Sequence, residues 1–326
     1  LGFIYLLIGT YSLPIRLLNC VWFGLSVVLI TKILFLLNQE KVAILSGIIM
    51  MLMPAFGWMA GMHLKESLMI FLVIYSFYLT IILINTKISF KNIILLILSI
   101  LLLFFFRTFL GIITAIVCFS SFIILSKKVF RFMPLITFIF IILIFFVNKS
   151  GIISEIKQNQ IDFQTNQQGE YFEQGARSLN RNVNIVDISI LMPISIFFPL
   201  SNFYDLDSAT EPESIRVCYR APNEFLKNIL LFFFFLGAWY AFKEIRIYYP
   251  FLIFIITYLF IISITGAFVN YRYQIVILPF ICIIIAKGIE NTKHKIKHIS
   301  IYWSIYMVIF FVLQLFYNIY RIDFRN

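Results

Sequence analysis

Charge is scarce in this chain. Only 13% of its 326 residues are charged, against about 25% in an ordinary soluble domain, which excludes a water-soluble globular protein. Cysteine is scarce too. Cys20, Cys118, Cys218 and Cys282 form neither a CxxC pair nor a metal-ligand spacing, so no disulfide framework is expected. There is no Walker motif, no GxGxxG and no nucleophile elbow, so no nucleotide cofactor is expected. The chain also lacks an initial Met and a signal-peptide n-region, and its first residues are already apolar; an N-terminal part is expected to precede Leu1.

What is present is hydrophobic sequence, 62% of the chain, with a mean hydropathy of +0.97. This composition predicts an all-α, polytopic membrane protein. Taking about 20 apolar residues per crossing, about ten spans are expected, over 16–37, 42–57, 67–85, 91–106, 108–126, 131–147, 225–242, 248–267, 273–288 and 300–319. The 39 Phe fall in Ile/Leu/Phe runs that suit lipid-facing helices. One polar stretch interrupts the pattern, dividing the chain into an N-terminal membrane block (1–147), a large loop (148–223) and a C-terminal membrane block (224–326). No two-fold internal repeat and no charged residue at mid-membrane marks the chain as a transporter.

The formal charge of +11 raises the question of nucleic acid, but its distribution answers it. Residues 148–224 carry six basic and ten acidic residues, which leaves 20 basic and five acidic residues beside the membrane spans. Basic flanks orient spans, and no nucleic-acid partner is expected. With alternating loops, Lys41, Lys87, Lys91, Lys127, Lys128, Arg131, Lys243, Arg246, Lys287, Lys293, Lys295 and Lys297 fall on one side, while the other holds Lys65, Arg107, Arg272, Arg321 and Arg325. The first side is read as cytoplasmic, so loop 148–223 is expected to be extracytoplasmic.

Several features then gather on the outer side. Glu66 stands at a span mouth, where a carboxylate can take a proton or hold a cation. It equally suits the first turn of a helix, with Lys65 as its neutraliser. His63 lies nearby, with no second His at ligand spacing. Arg107, between two apolar runs, either faces a cavity where it can grip a phosphate or snorkels at a tight hairpin. Tyr271, Arg272 and Tyr273 suit sugar stacking and phosphate pairing, or a plain aromatic belt. Within the insert, Arg177 and Arg181 stand four apart, as do Arg216 and Arg220, which are candidates for phosphate contact. Residues 184–200, broken by Pro193 and Pro199, read as a re-entrant or surface-lying segment. Asp205, Asp207, Glu211 and Glu213 have no calcium-loop spacing and read as solvated surface.

Three segments together resemble a known superfamily. They are Tyr5-Leu-Leu-Ile-Gly9 through Arg16 to Asn19, Leu52-Met-Pro54, and Leu64-Lys-Glu66-Ser-Leu, with Tyr271-Arg272-Tyr273 to Leu278-Pro279 further on. They are similar to the GT-C integral-membrane glycosyltransferases of the bacterial protein-mannosyltransferase and aminoarabinose-transferase kind, over about a third of the chain. The resemblance implies a polyprenyl-phosphate-linked sugar donor, a glycan, lipid or protein acceptor, and an outward-facing site in the bacterial inner membrane. It places Glu66 at the family's acidic position before a span, where Asp is commoner, and leaves a divalent metal ion open as a cofactor with no ligand set identified. The family's principal catalytic acid would lie upstream of Leu1, making Glu66 the supporting or metal-associated acid. Glu66 is thus the catalytic candidate, with Arg107, Arg272, Tyr271, Tyr273, Arg177, Arg181, Arg220 and His63 as substrate-binding candidates. Two other readings stay open: a Wzy-type O-antigen polymerase and a lipid-linked oligosaccharide transporter.

Overall fold

The computed structural model describes residues 13–61, 65–85, 89–125, 211–264, 271–292 and 296–323. These form helices α1 (Leu13–Leu36), α2 (Glu40–Leu52), α3 (Pro54–Gly61), α4 (Glu66–Asn85), α5 (Phe90–Phe106), α6 (Thr108–Leu125), α7 (Glu211–Lys243), α8 (Ile245–Ile264), α9 (Tyr271–Ile275), α10 (Leu278–Thr292) and α11 (Ile296–Asp323). No strand occurs among the described residues.

The expected count of about ten spans is corrected. Among the described residues, five helices are long and apolar enough to cross a bilayer: α1, α4, α6, Pro222–Lys243 of α7 and Ile245–Ile262 of α8. Counting the bent pair α2–α3 as one span gives six. Apolar run length does not reveal whether a run stays in one straight, full-length helix. The run 42–57 bends by 58° at its break, α5 stops at 17 residues, and 273–288 is divided by a turn at 276–277. The apolar part of α11 is Ser300–Phe316. The expected span 131–147 lies outside the described residues. Helix α7 begins at Glu211, inside the stretch read as the insert, so Arg216 and Arg220 stand on a helix.

The break between α2 and α3 follows from Pro54. A proline tolerates the first helical position, where its missing N–H is not needed, but it drives the preceding residue out of the helical region. Met53 accordingly sits at φ −71°, ψ 117°. The amide of Ala55, left without an intrahelical acceptor, donates to Asn223 Oδ1 of α7 at 3.3 Å.

Packing elsewhere relies on small residues and on aromatic rings. Helices α7 and α10 touch backbone to backbone, because a Cβ on Gly237 would collide with the Ile284 carbonyl and one on Gly288 with the Phe233 carbonyl. Such close crossings are the usual device where lipid supplies no hydrophobic drive between helices. Ser76 and Ser99 share a hydrogen bond of 2.7 Å between α4 and α5. The centre is aromatic: Phe77 meets Phe251, Phe254 and Phe280 at centroid distances of 6.2, 5.5 and 5.1 Å. These four rings are buried, so part of the Phe content belongs to the core and not to the lipid face.

The bundle has two distinct ends. Asn85 at the C-terminus of α4 donates to the Leu36 carbonyl at 3.4 Å, which sets Glu66, at the start of this 20-residue helix, about 30 Å away at the opposite end. At the Leu36 end the chain turns through Asn38, a residue type that tolerates its φ of 58°. Here Lys287, only 5% exposed, pairs with Glu244 at 3.0 Å and Glu290 at 3.4 Å and donates to Gln39 Oε1 at 3.5 Å. Gln39 Oε1 also accepts from the Tyr248 hydroxyl at 3.1 Å. One ammonium thus ties the turns at the end of α1, between α7 and α8, and on α10. Lys287→Met is expected to lower stability by about 1–2 kcal/mol, a moderate figure because Glu244 and Glu290 reach water and screen the loss. Thermal unfolding in detergent checks it, and an unchanged midpoint would assign the cluster no stabilising role.

Candidate functional site

Three elements meet at the other end. Glu66 opens α4, where a first-turn carboxylate is favoured by the helix dipole. Arg107 occupies a one-residue break between α5 and α6, at φ −154°, ψ 107°. Its N–H still bonds the Leu103 carbonyl at 2.8 Å, and its carbonyl accepts from Gly111 at 3.1 Å. The hairpin closes because Gly111 carries no side chain, since a Cβ there would stand 2.8 Å from the Phe104 ring and 2.9 Å from the Phe104 backbone nitrogen. Tyr273 comes from the short helix α9.

The result is a charged pair on an aromatic floor. Arg107 Nη2 bonds Glu66 Oε1 at 3.0 Å, with the side chains 11% and 3% exposed. The guanidinium carbon lies 3.9 Å above the Tyr273 ring centroid, close enough for a cation–π attraction. The Tyr258 hydroxyl of α8 donates to the Tyr273 carbonyl at 2.9 Å and lies within electrostatic reach of both Arg107 and Glu66. Phe109 packs against both tyrosines, its centroid 6.0 Å from Tyr273 and 6.3 Å from Tyr258.

The pair is not saturated. Glu66 Oε2 and Arg107 Nη1 are buried and have no hydrogen-bond partner among the described residues. Buried polar atoms are normally bonded, because leaving one unmet costs on the order of 1–3 kcal/mol. A spare acceptor and a spare donor therefore belong to one pair of bonded side chains. Between them they can receive a group that gives a proton to the carboxylate and offers an oxygen to the guanidinium. Among the described residues no three His, Cys, Asp or Glu side chains gather to hold a metal ion.

Of the residues singled out from sequence, Glu66, Arg107 and Tyr273 come together here. Glu66 makes its ion pair with Arg107, and Lys65 is exposed. Tyr271 and Arg272 share helix α9 with Tyr273, and Arg220 belongs to α7, but these three side chains lie outside the described ones. His63, Arg177 and Arg181 lie outside the described residues.

Two features went unread in the sequence. Tyr258 sits in an unbroken apolar run and carries no signal of its own. The second feature did leave a signal. Asn223, Glu224, Lys227 and Asn228 stand at positions i, i+1, i+4 and i+5, within an arc of about 140° of the helix, in a helix that is otherwise apolar from Phe225 to Phe242. They are 0%, 5%, 7% and 2% exposed. The Asn228 carbonyl accepts from the Tyr306 hydroxyl of α11 at 2.5 Å. No protein-family model matches the chain, and no curated protein and no solved structure does; sequence and structure together establish an all-α integral membrane protein that crosses the bilayer several times.

Proposed function

We propose that this protein is a membrane glycosyltransferase that moves a sugar from a polyprenyl-phosphate-linked donor to a glycan, lipid or protein acceptor on the outer face of the bacterial inner membrane. The observation that carries this reading is the spare acceptor of Glu66 beside the spare donor of Arg107, at the mouth of a membrane bundle. In this reading Arg107 donates from Nη1 to a phosphate oxygen of the donor, with the Tyr273 ring supporting the guanidinium. Glu66 Oε2 takes the proton of the acceptor hydroxyl as that oxygen attacks the anomeric carbon. The bond from the anomeric carbon to the phosphate oxygen breaks, its electron pair leaves with the polyprenyl phosphate, and Arg107 holds the released anion. The resemblance to GT-C enzymes and the basic residues collected at the far end of the bundle support the outward assignment.

A second reading, movement of a lipid-linked oligosaccharide across the membrane, is favoured by one feature, the 58° bend of α2–α3, since broken helices are common in transporters.

The test uses farnesyl phosphate as probe on protein in nanodiscs. Arg107→Met, or Arg107→Lys if the first variant does not fold, is expected to weaken binding about tenfold or more, because lysine keeps the charge but not the fork. Glu66→Gln is expected to keep the probe within about twofold and to abolish surface glycan transfer in cells, since its amide cannot accept the proton. Normal surface glycan in the Glu66→Gln strain would overturn the transferase reading. A lipid-linked oligosaccharide retained on the cytoplasmic face in that strain would favour the transporter.

A further inference from the structure

Tyr258 carries a hydroxyl that the transfer chemistry does not use. Its side chain is fully buried in α8, whose segment Ile245–Ile262 is long and apolar enough to cross the bilayer. A hydroxyl in such a place costs free energy unless it is bonded. Phenylalanine would keep the packing, because the ring's neighbours are Phe254, with centroids 5.7 Å apart, and Phe109, at 6.3 Å. What distinguishes tyrosine here is therefore the group that its hydroxyl holds.

That group is the Tyr273 carbonyl, at 2.9 Å. Helix α9 ends at Ile275, and Ile277, four residues after Tyr273, already belongs to the turn before α10. A helix leaves its last carbonyls without intrahelical donors, and at membrane depth each needs a donor from elsewhere. Tyr258 provides one from a neighbouring span. The residue it holds is also the one whose ring lies 3.9 Å from the Arg107 guanidinium carbon. Phe109, two residues after Arg107, stacks on that ring with centroids 6.0 Å apart and an interplanar angle of 29°. The Tyr273 ring is thus fixed at its backbone by Tyr258 and at its side by Phe109.

This matters because Arg107 is anchored at one nitrogen only. Its Nη2 bonds Glu66, and a planar guanidinium held at one nitrogen can still pivot about it. The ring beneath fixes the plane through a cation–π contact, and with it the direction of Nη1. The Tyr258 hydroxyl also stands within electrostatic reach of the guanidinium itself. We infer that Tyr258 is a positioning residue: by holding the Tyr273 carbonyl it holds the ring that fixes the direction of Arg107 Nη1. The inference rests on the transferase reading for its consequence, since that reading points Nη1 at the donor phosphate, but the positioning itself can be measured without a ligand.

The first measurement is nuclear magnetic resonance of isotope-labelled arginine in the protein in nanodiscs, with the Arg107 signal assigned by its loss in Arg107→Lys. Guanidinium protons over an aromatic face are shifted upfield by the ring current, and Tyr273→Leu supplies the unshifted reference. Tyr258→Phe is expected to lose at least half of the shift. Placing p-aminophenylalanine at position 258, which restores a donor, is expected to return it. Phe109→Leu, which frees the same ring without touching the hydroxyl, takes the place of Tyr258→Phe if that variant does not fold. The second measurement is the preference for farnesyl phosphate over farnesol, expected to fall about threefold to tenfold in Tyr258→Phe with farnesol binding unchanged; a general loosening of the bundle would weaken both. A ring-current shift that survives the substitution at full size overturns the inference, as does a phosphate preference that the substitution leaves intact. A shift that is lost as expected, in a protein that binds farnesyl phosphate no better than farnesol, keeps the positioning of Arg107 and removes its phosphate role.

Discussion

Arg107→Met is expected to destabilise the protein by about 3–5 kcal/mol, the cost of leaving a buried charge without its partner. Glu66 is 3% exposed and its Oε1 has Arg107 at 3.0 Å. Its Oε2 already lacks a partner among the described residues, so removing the guanidinium leaves the whole buried carboxylate unmet. The double variant Glu66→Gln, Arg107→Met removes both charges and is expected to recover most of the loss, because a neutral amide in the same place carries no comparable desolvation penalty. Unfolding of the wild type, the two single variants and the double variant in one detergent gives the coupling directly. Additive single losses would show that the pair contributes nothing as a pair, and the site would then be open to solvent in a way its burial does not suggest. The same cycle separates folding from function. A double variant that folds but transfers no sugar keeps Glu66 and Arg107 in the chemistry.

The second large effect is steric. Gly237→Leu is expected to abolish recovery of folded, monodisperse protein. At this crossing even a methyl group would occupy the position of the Ile284 carbonyl, and on the facing helix Gly288 has the same relation to Phe233. Neither obstacle is a flexible side chain that can swing aside. Relief requires α7 and α10 to separate along their length, and α10 is buried over nearly all of Leu278–Gly288. Gly57→Ala is the matched control, since a Cβ there meets nothing within 4 Å. Size-exclusion profiles of the two variants, expressed side by side, decide the point. Equal yields would mean that the two helices do not touch at Gly237.

How far the sequence could be read differs from residue to residue. Glu66, Arg107 and Tyr273 were legible because each is a polar or amphipathic residue at the edge of an apolar run, where its cost needs a reason. Their convergence was not legible, since it depends on which loop ends the bundle brings to one place. Tyr258 was hidden because one hydroxyl among Phe254, Leu259 and Phe260 changes hydropathy very little. The all-α membrane character followed directly from composition. The number of crossings did not, because Pro54 and the turn before Leu278 divide runs that look continuous by apolar content alone. The face of α7 was legible in its four-residue spacing but was split at the edge of the insert, with Asn223 ending the polar loop and Lys227 and Asn228 falling inside the expected span 225–242.

The bond from the Ala55 amide to Asn223 spans 168 residues. A ribosome making this chain releases the α2–α3 break long before it reaches residue 223, and until then the amide is without its Asn223 acceptor. The N-terminal helices must therefore wait, with that amide held by water, lipid headgroups or the insertion machinery, until α7 enters and completes them. The early half of the protein is in this sense finished by the late half, and the order of synthesis imposes a delay that no stretch of the first 125 residues can remove by itself.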